Sequence, residues 1–467
     1  MRDFTGADIL FATGGTCIAG DIQTVFSNIG TDSRKIEKDS LFVPIIGDNF
    51  DAHNFLKDAL GAGAAGALIS NAAAAEELNM PDKVIILVED TLCAFGEMAK
   101  WYRHTFDVPV VAITGSVGKT STKDMIHAVM NKKFSTLKNI GNFNNAVGLP
   151  LSVFRMESEY NAMVLEMGMN HLGEISWLSN IAAPDVAVIT NVGISHIENL
   201  GSKQNILKAK LEIMDGMGPE GVLIINSDDA MLAGVKDFVG RRVVTFGTEE
   251  GADIRAEGVF GKGEEGCVFT LSMHGELYDV TLKVPGAHNV YNALAAIATG
   301  SVLGIPVGDM IEALHDFTSD DAMRMFICDA NGVKIINDCY NASPSSMKAA
   351  FNVLHELNVS GRKFAVLGNI LELGDWTEQA HREVGASAVQ SEIDFLVTVG
   401  DFGNYTVSGA LEAGFAPANI RCFTHHTEAQ EFLAQTLRPG DAVLIKGSRG
   451  AKMEQIFQFL TQQKGGQ

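Results

Sequence analysis

Short, continuously apolar runs alternate with stretches of helical periodicity through most of the chain. In the middle of the chain the runs are "VVAIT", "NAMVLEMG", "DVAVITNVG" and "GVLIIN", and later ones are "GVKIIND", "KFAVLG", "FLVTVG" and "DAVLIKG". Strands buried on both faces have this uniformly apolar composition, whereas strands of a half-exposed sheet alternate apolar and polar residues. The pattern therefore predicts two doubly wound parallel sheets with helices packed on them.

The chain divides into three blocks, because its 467 residues are too many for one compact core. Residues 1–106 combine the strands "DSLFVPII" and "KVIILVE" with the Ala- and Gly-rich stretch "DALGAGAAGALISNAAAAEEL", which we interpret as helical. Residues 107–317 hold the first parallel sheet, a β-rich patch of alternating polarity from about Val243 to Leu282, and a helix within "VPGAHNVYNALAAIATGSVLG". Residues 318–467 hold the second parallel sheet. The predicted fold class is α/β, with three domains.

Net charge and composition limit the classes of partner that we expect this protein to bind. The 57 acidic and 35 basic residues give a net charge of -22, which argues against a nucleic-acid partner because such a partner needs a basic face. No run approaches the roughly 18 apolar residues that span a bilayer, and the N-terminus lacks the features of a signal peptide. The six cysteines have no metal-like spacing, so we interpret them as buried thiols. We expect a cytoplasmic protein that neither binds nucleic acid nor inserts into membranes.

A glycine loop follows the first strand of the middle block, in "VVAITGSVGKTSTKDMI". Glycines there let successive backbone N–H groups point inward, a Lys can reach a β- or γ-phosphate, and a Thr hydroxyl can reach Mg²⁺. The loop departs from the strict phosphate-loop motif, because Ile113 stands where that motif has its first glycine. We expect the loop, residues 115–121, to bind nucleotide phosphates through Gly115, Ser116, Val117, Gly118, Lys119, Thr120 and Ser121.

Other strand ends of the same sheet carry polar side chains. The strand in "NAMVLEMG" ends at Glu166, and "DVAVITNVGISHIE" leads into a loop with His196, followed by a helix with Lys208 and Lys210. Ligands of open α/β sheets bind outside the carboxyl ends of the strands, so these groups are expected near the glycine loop. A carboxylate and an imidazole beside a phosphate loop suggest Mg²⁺ sites at Thr120 on one side and at Glu166 and His196 on the other.

Taken together, these motifs resemble the Mur ligases, the ATP-dependent amide-forming enzymes of peptidoglycan precursor synthesis, over essentially the whole chain. Further matching segments include "DSRKIEKDSLFVPIIGDNFDAHNF", "TNVGISHIENLGSKQNILKAKLEI", "GAHNVYNALAA" and "KGSRGAKME". The segments "NFNN", "DCYNASPSSM" and "LGNILELGD" most resemble the member of the family that acts last and adds a dipeptide. The resemblance implies ATP and Mg²⁺ as cofactors, and a UDP-linked muramyl peptide and an amine as small-molecule substrates.

The resemblance also implies roles for individual residues around ATP. The family activates a peptide carboxylate as an acyl phosphate, which the amine then attacks, and it carries a carbamylated lysine as a metal ligand. The catalytic set implied here is Lys119, Glu166, His196 and Lys210, with Thr120, Glu166, His196 and Lys210 at the metal. The nucleotide contacts implied outside the glycine loop are Asn292, near the adenine side, together with Arg324, Asp338, Tyr340 and Asn341 of the third block.

The remaining implied roles concern the other two substrates. Lys446 and Arg449 are candidates for the carboxylate of the dipeptide, although a helix-start or turn role is an alternative for both. The substrate-binding residues implied by the resemblance are Ser33, Arg34, Asp48 and His53 for the UDP moiety, and Asn144 and Asn145 for the muramyl peptide.

Two alternative functions stay open on the sequence. The first is another ligase of the superfamily, such as the one that adds the third stem-peptide residue, or a folylpolyglutamate synthase-like enzyme. The second is a phosphate-loop kinase or a nucleotide-driven switch, neither of which would need the UDP-type first block. We expect the protein to be a monomer.

Overall fold

The computed structural model describes residues 1–47, 50–73, 80–319 and 322–462, and in them three extended sheets follow one another along the chain. The first sheet has five strands, with one antiparallel pair at its outer edge. Two short ladders also lie in this region, Phe4–Thr5 with Val25–Phe26 and Ile46–Gly47 with Phe50–Asp51. In spatial order the five strands are Thr16–Ala19, Val84–Leu87, Gly66–Ile69, Ser40–Phe42 and Asn28–Gly30.

The Ala- and Gly-rich stretch of the first block is not helical throughout, and the sequence-based interpretation is wrong there. Helix Leu56–Ala62 ends at Gly63, which has a φ of 124° that glycine adopts readily and other residues rarely do. Residues Gly66–Ile69 then form a central strand of the sheet. A Cβ at the first position of that strand would lie 2.3 Å from the Val84 carbonyl oxygen, so only glycine fits. Burial between two apolar strands outweighs the helix propensity of alanine.

The second sheet has nine strands and confirms the predicted parallel sheet and the β-rich patch. The first seven strands in spatial order are parallel, and the last two are antiparallel additions with alternating burial. The strands are Thr136–Lys138, Ala162–Glu166, Val110–Thr114, Val186–Ile189, Val222–Asn226, Val243–Gly247, Ile254–Gly261, Cys267–Met273 and Glu276–Leu282.

The third sheet has six strands, of which the edge strand Phe326–Ala330 is antiparallel and the others are parallel. The α/β fold class is thereby confirmed, whereas the domain limits predicted from the sequence remain a prediction. The strands are Phe326–Ala330, Val333–Asp338, Ala442–Lys446, Lys363–Gly368, Phe395–Val399 and Ile420–Phe423.

Helices cover the sheets, and none among the described residues is both long and apolar enough to cross a bilayer. Those near the first sheet are Gly6–Thr13, Leu56–Ala62 and Thr91–His104. Those near the second are Lys119–Met130, Gly148–Val153, Glu174–Ala182, Ile197–Leu200, Lys203–Leu211, His288–Val302 and Val307–His315. Those near the third are Pro344–Glu356, Thr377–Gln390, Gly403–Glu412, His426–Thr436 and Glu454–Gln462.

An apolar interface joins the first sheet to the second. The Tyr102 hydroxyl donates a hydrogen bond of 2.6 Å to the Met156 carbonyl, and the rings of Phe95 and Phe154 lie 5.5 Å apart. Side chains of all three sheets belong to one contiguous apolar cluster. The interpretation of every cysteine as buried is wrong, because Cys93 and Cys422 are exposed; all six are free thiols.

Candidate active site

The glycine loop connects strand Val110–Thr114 to helix Lys119–Met130, as predicted. At Gly115 a Cβ would lie 1.8 Å from Thr190 Oγ1, and Gly118 has a φ of 82°, so both positions require glycine. The helix begins directly after Gly118, and its free backbone N–H groups face the end of the loop. A helix N-terminus behind a glycine loop favours an anion such as a phosphate group.

A second loop, residues 190–193, braces the glycine loop. The Asn191 amide accepts a hydrogen bond from Val117 N and donates one to Val117 O, each of 2.9 Å, while Ser116 N donates to Asn191 O at 3.1 Å. Gly193 N donates to Ser116 Oγ at 2.8 Å. Sequence reasoning missed Asn191, although its place directly after a buried strand next to the loop strand was an available signal.

Lys119 lies at the start of the helix, and its ammonium donates a hydrogen bond of 2.8 Å to the Gly115 carbonyl. Burial is the main cause of a pKa below the usual range for lysine; the nearby Glu166 carboxylate opposes this shift and the Arg324 guanidinium adds to it. Lys119 and Arg324 thus form a local patch of positive charge in a strongly acidic protein, which suits a polyanionic ligand.

Glu166 is held from three sides at the end of its strand. Its carboxylate accepts hydrogen bonds from Thr120 Oγ1 at 2.7 Å and from the Asn144 amide at 2.8 Å. Its backbone N–H and C=O pair with the Asn139 side chain at 3.0 and 3.1 Å. Glu166 itself is 2% exposed, so its carboxylate and the Thr120 hydroxyl are fixed in place.

The Thr120 and Glu166 oxygens fit a magnesium site. A hydroxyl and a carboxylate are hard oxygen ligands, and Mg²⁺ usually takes only one or two protein ligands of this kind beside phosphate and water. Within the described residues no three His, Cys, Asp or Glu side chains come together as a metal cluster. The oxygen pair therefore needs the phosphates of a nucleotide, or a further anionic ligand, to complete a coordination shell.

His196 precedes the short helix Ile197–Leu200 and adopts a left-handed backbone with a φ of 62°. Its Nδ1 lies 2.6 Å from Glu372 Oε2, which belongs to the loop after strand Lys363–Gly368 of the third sheet. This contact lowers the pKa of the Glu372 carboxyl. Glu372 was also missed from the sequence, because the two residues lie far apart in the chain.

Lys210 differs from Lys208 in its surroundings. Lys210 is 1% exposed, whereas Lys208 is exposed at the same helix. Burial, reinforced by the Lys119 ammonium and opposed by Asp229, holds the pKa of Lys210 well below its usual range. Among the described residues the Lys210 ammonium has no hydrogen-bond or ion-pair partner. Burial thus favours the neutral form of the amine, which is the nucleophilic form.

Asn292 contacts the glycine loop in this structure. Its Oδ1 accepts a hydrogen bond from Thr122 Oγ1 at 3.0 Å and lies 2.8 Å from where a Cβ of Gly118 would stand. Its amide nitrogen donates to Asn289 Oδ1 at 2.8 Å, since residues three apart lie on the same helix face. Asn292 thereby contributes to the fixed shape of the loop.

The third sheet contributes a further set of polar groups. The Arg324 guanidinium lies over the Tyr340 ring, 3.8 Å from its centroid. The Lys446 ammonium lies 2.5 Å from Asp338 Oδ2 and donates to the Asn341 carbonyl at 3.0 Å. Asp338 and Lys446 are thus a buried ion pair at the ends of two neighbouring strands.

One cavity of about 1060 Å³ brings these groups together. It lies between the second and third sheets and extends to Leu92 and Cys93 near the first. Sixteen of the residues predicted from the sequence line it: Ser116, Val117, Gly118, Lys119, Thr120, Ser121, Asn144, Asn145, Glu166, His196, Asn292, Arg324, Asp338, Tyr340, Asn341 and Lys446.

Four predicted substrate-binding residues lie outside the lining of this cavity: Ser33, Arg34, His53 and Arg449. The Arg34 guanidinium forms two hydrogen bonds with Asp32, of 2.8 and 2.9 Å, which lower the pKa of Asp32 to about 2. Both ring nitrogens of His53 have partners, since Nδ1 lies 2.7 Å from Asp51 Oδ1 and Nε2 accepts from Ser70 N at 3.1 Å. The predicted residue Asp48 lies outside the described residues.

Comparison with known proteins agrees with this geometry. Three family models match the chain: the Mur ligase family catalytic domain at residues 25–103, the Mur ligase middle domain at 113–300 and the Mur ligase glutamate ligase domain at 323–449. The chain belongs to the Mur ligase family.

Individual relatives match over nearly the whole chain. The chain is 40% identical to the UDP-N-acetylmuramoyl-tripeptide–D-alanyl-D-alanine ligase of Bacillus subtilis, over 94% of each protein. A MurF crystal structure from Acinetobacter baumannii superposes with a TM-score of 0.90 at 31% identity, over 99% of both chains. A MurF ligase from Thermotoga maritima in complex with ADP superposes with a TM-score of 0.82 at 27% identity, over 93% of this chain and 97% of that one.

Proposed function

We propose that this protein is a UDP-N-acetylmuramoyl-tripeptide–D-alanyl-D-alanine ligase. It joins D-alanyl-D-alanine to the UDP-linked tripeptide at the expense of ATP and with Mg²⁺, and releases the UDP-linked pentapeptide, ADP and phosphate. The observation that carries the proposal is the single cavity in which the braced glycine loop faces Arg324 and Tyr340 of the third sheet. We also propose that it works in the cytoplasm as a monomer, with domains 1–106, 107–317 and 318–467.

In the first half of the reaction two negatively charged groups, the tripeptide carboxylate and the γ-phosphate of ATP, must come into contact. An oxygen of the tripeptide carboxylate attacks the γ-phosphorus of ATP, the bond to the β-phosphate oxygen breaks, and ADP leaves an acyl phosphate behind. Lys119 and Arg324 supply the positive charge that this step requires, from opposite sides of the cavity. The glycine loop contributes its backbone N–H groups to the phosphates.

The second half forms the amide bond. The free amine of D-alanyl-D-alanine attacks the acyl carbon, the amine loses a proton, and phosphate departs with the electrons of its bond to carbon. Asn144 and Asn145 lie in the cavity lining where they can bind the peptide, and Asn144 also fixes Glu166. Both candidates for the dipeptide carboxylate form ion pairs: Lys446, in the cavity lining, with Asp338, and Arg449, which is 60% exposed and outside the lining, with Glu454.

Magnesium would be held by Thr120 and Glu166, with His196 and a carbamylated Lys210 on the other side. When bound, it neutralises charge on the phosphates and on the oxyanion of the tetrahedral intermediate. The protein residues hold the ligand oxygens in place, since Asn139 and Asn144 fix Glu166 and the start of a helix fixes Thr120. Asp338, Tyr340 and Asn341 would contact the ribose and adenine.

Arg34→Ala should weaken binding of the UDP substrate and leave the chemical step nearly unchanged. We expect KM for the UDP-tripeptide to rise about 10- to 100-fold, because charge-assisted hydrogen bonds to a phosphate are lost. The value of kcat should stay within about twofold. Steady-state kinetics measures both. Lys38→Ala is the matched control, because Lys38 is an equally exposed cation at the next turn of the chain. Equal KM changes in the two variants would exclude a specific role for Arg34.

The function itself is tested by phosphate release. We expect release from ATP only when UDP-tripeptide and D-alanyl-D-alanine are both present, with either L-lysine or a diamino diacid as third residue of the tripeptide. Mass spectrometry should detect the pentapeptide product. Phosphate release without the dipeptide, or with a single amino acid in its place, would contradict the proposal and favour a kinase, a switch or another amide ligase.

A further inference from the structure

A direct contact between the second and third sheets involves a residue of the proposed metal site. His196 Nδ1 lies 2.6 Å from Glu372 Oε2, although 176 positions of sequence separate the two residues. Backbone contacts support the same junction, since Glu198 N donates to the Glu372 carbonyl at 3.5 Å. Gly374 packs against Glu198, because a Cβ there would lie 3.2 Å from Glu198 Cγ.

Both ends of the contact have an unfavourable backbone conformation. His196 has a φ of 62° and Glu372 a φ of 63°, in the left-handed region that non-glycine residues seldom adopt. Such conformations persist where the surrounding structure fixes them, and they cluster at functional sites. The two side chains therefore meet because each loop is held in an unusual shape.

The chemistry of imidazole gives this contact a consequence. The carboxylate lies within ion-pair distance of the buried Nδ1 without forming a hydrogen bond of good geometry, and its charge favours the tautomer with the proton on Nδ1, so that Nε2 keeps its lone pair for a metal. His196 lines the cavity, whereas Glu372 is not among the residues that line it. Glu372 thus touches His196 from outside the cavity and does not compete with a ligand inside it.

We propose that Glu372 is a positioning residue, which holds His196 Nδ1 and so prepares the imidazole to bind metal only when the third sheet is docked on the second. The proposal rests on the proposed function for the role of His196. Docking of the third sheet and completion of the metal site become one event, because the carboxylate that orients the ligand belongs to a loop of the third sheet.

A second ion pair across the same two sheets provides a matched control. Lys334 of the third sheet forms an ion pair with Glu264, in the turn before strand Cys267–Met273 of the second. Glu264→Gln removes a carboxylate from the interface without touching His196. If Glu372 acts only by docking the sheets, Glu264→Gln should have the same effect as Glu372→Gln.

The test measures metal binding directly, without turnover. Mn²⁺ binding to the full-length protein with a non-hydrolysable ATP analogue is followed by the electron paramagnetic resonance signal of free Mn²⁺. We expect Glu372→Ala and Glu372→Gln to raise the dissociation constant for Mn²⁺ about 10-fold or more, and Glu264→Gln to stay within twofold of the unmodified protein. Circular dichroism melting confirms that each variant is folded.

A double-mutant comparison completes the experiment. In the His196→Ala background, Glu372→Ala should weaken Mn²⁺ binding no further, since its effect runs through the imidazole. Additive losses, an equal loss in Glu264→Gln, or unchanged Mn²⁺ binding in both Glu372 variants would each overturn the proposal. Failure of the ligase assay with D-alanyl-D-alanine would overturn the proposed function instead, because these binding measurements use no peptide substrate.

Discussion

Lys119→Ala is expected to lower the rate of phosphate release by about 10²- to 10³-fold, the effect of removing one preorganised positive group from a developing anion. The ammonium lies at the end of the glycine loop, partly buried and near the Arg324 charge, and no other side chain of the loop is a cation that could replace it. The fold should survive, because the substitution also removes the cost of burying a charge. Single-turnover kinetics and urea unfolding measure the two effects separately.

The control for this variant is Lys132→Ala, beyond the other end of the same helix. Lys132 forms an ion pair with Glu312 and is not among the residues that line the cavity. We expect its turnover to equal that of the unmodified protein. Turnover that is unchanged in Lys119→Ala would contradict the assignment of the glycine loop as the phosphate site.

Lys210→Ala is the second variant with a large expected effect, a loss of at least about 10²-fold in turnover if a carbamate on Lys210 is a metal ligand. The low pKa of Lys210 supports such a modification, because only the neutral amine can attack carbon dioxide. In that step the nitrogen of the neutral amine bonds to the carbon of CO₂ and one proton is released, so a neutral side chain becomes an anionic oxygen ligand. Mass spectrometry under bicarbonate and activity assays measure the two consequences.

Lys208→Ala is the matched control, two residues away on the same helix but exposed. We expect its turnover to stay within about twofold, since exposed substitutions rarely disturb a structure. Short carboxylic acids should restore part of the activity of Lys210→Ala by filling the vacated place. Full activity in Lys210→Ala, or an inactive Lys208→Ala, would assign the role to another residue.

The parallel sheets could be predicted from the sequence because a strand buried on both faces has a simple composition. Val110–Thr114 and Ala162–Glu166 are buried at every position, and their apolar runs identify them without any knowledge of neighbours. Strand Gly66–Ile69 could not be recognised, since runs of alanine and glycine occur both in helices and in tightly packed strands. The need for Gly66 becomes clear only in the structure, where the Val84 carbonyl oxygen leaves no room for a Cβ.

The residues of the candidate site also divide into those that could be predicted from the sequence and those that could not. Residues that we propose to contact ligands, such as Lys119 and Glu166, belong to recurring motifs and could be selected from the sequence, and their roles remain predictions. Residues that hold these groups in place, such as Asn139, Asn191 and Glu372, were not singled out, although Asn191 and Glu372 lie within the segments that carry the family resemblance. Their contribution depends on which loops meet in three dimensions, and a single sequence does not contain that information.

The brace on the glycine loop has a thermodynamic consequence for nucleotide binding. Residues 190–193 satisfy the backbone of Ser116 and Val117 without any ligand, so the loop is ordered when the protein folds. Ordering a loop at the moment of binding would subtract conformational entropy from the affinity for each nucleotide molecule. Here that entropy is lost once, during folding, so the ATP molecule of each catalytic cycle binds to a loop that is already ordered.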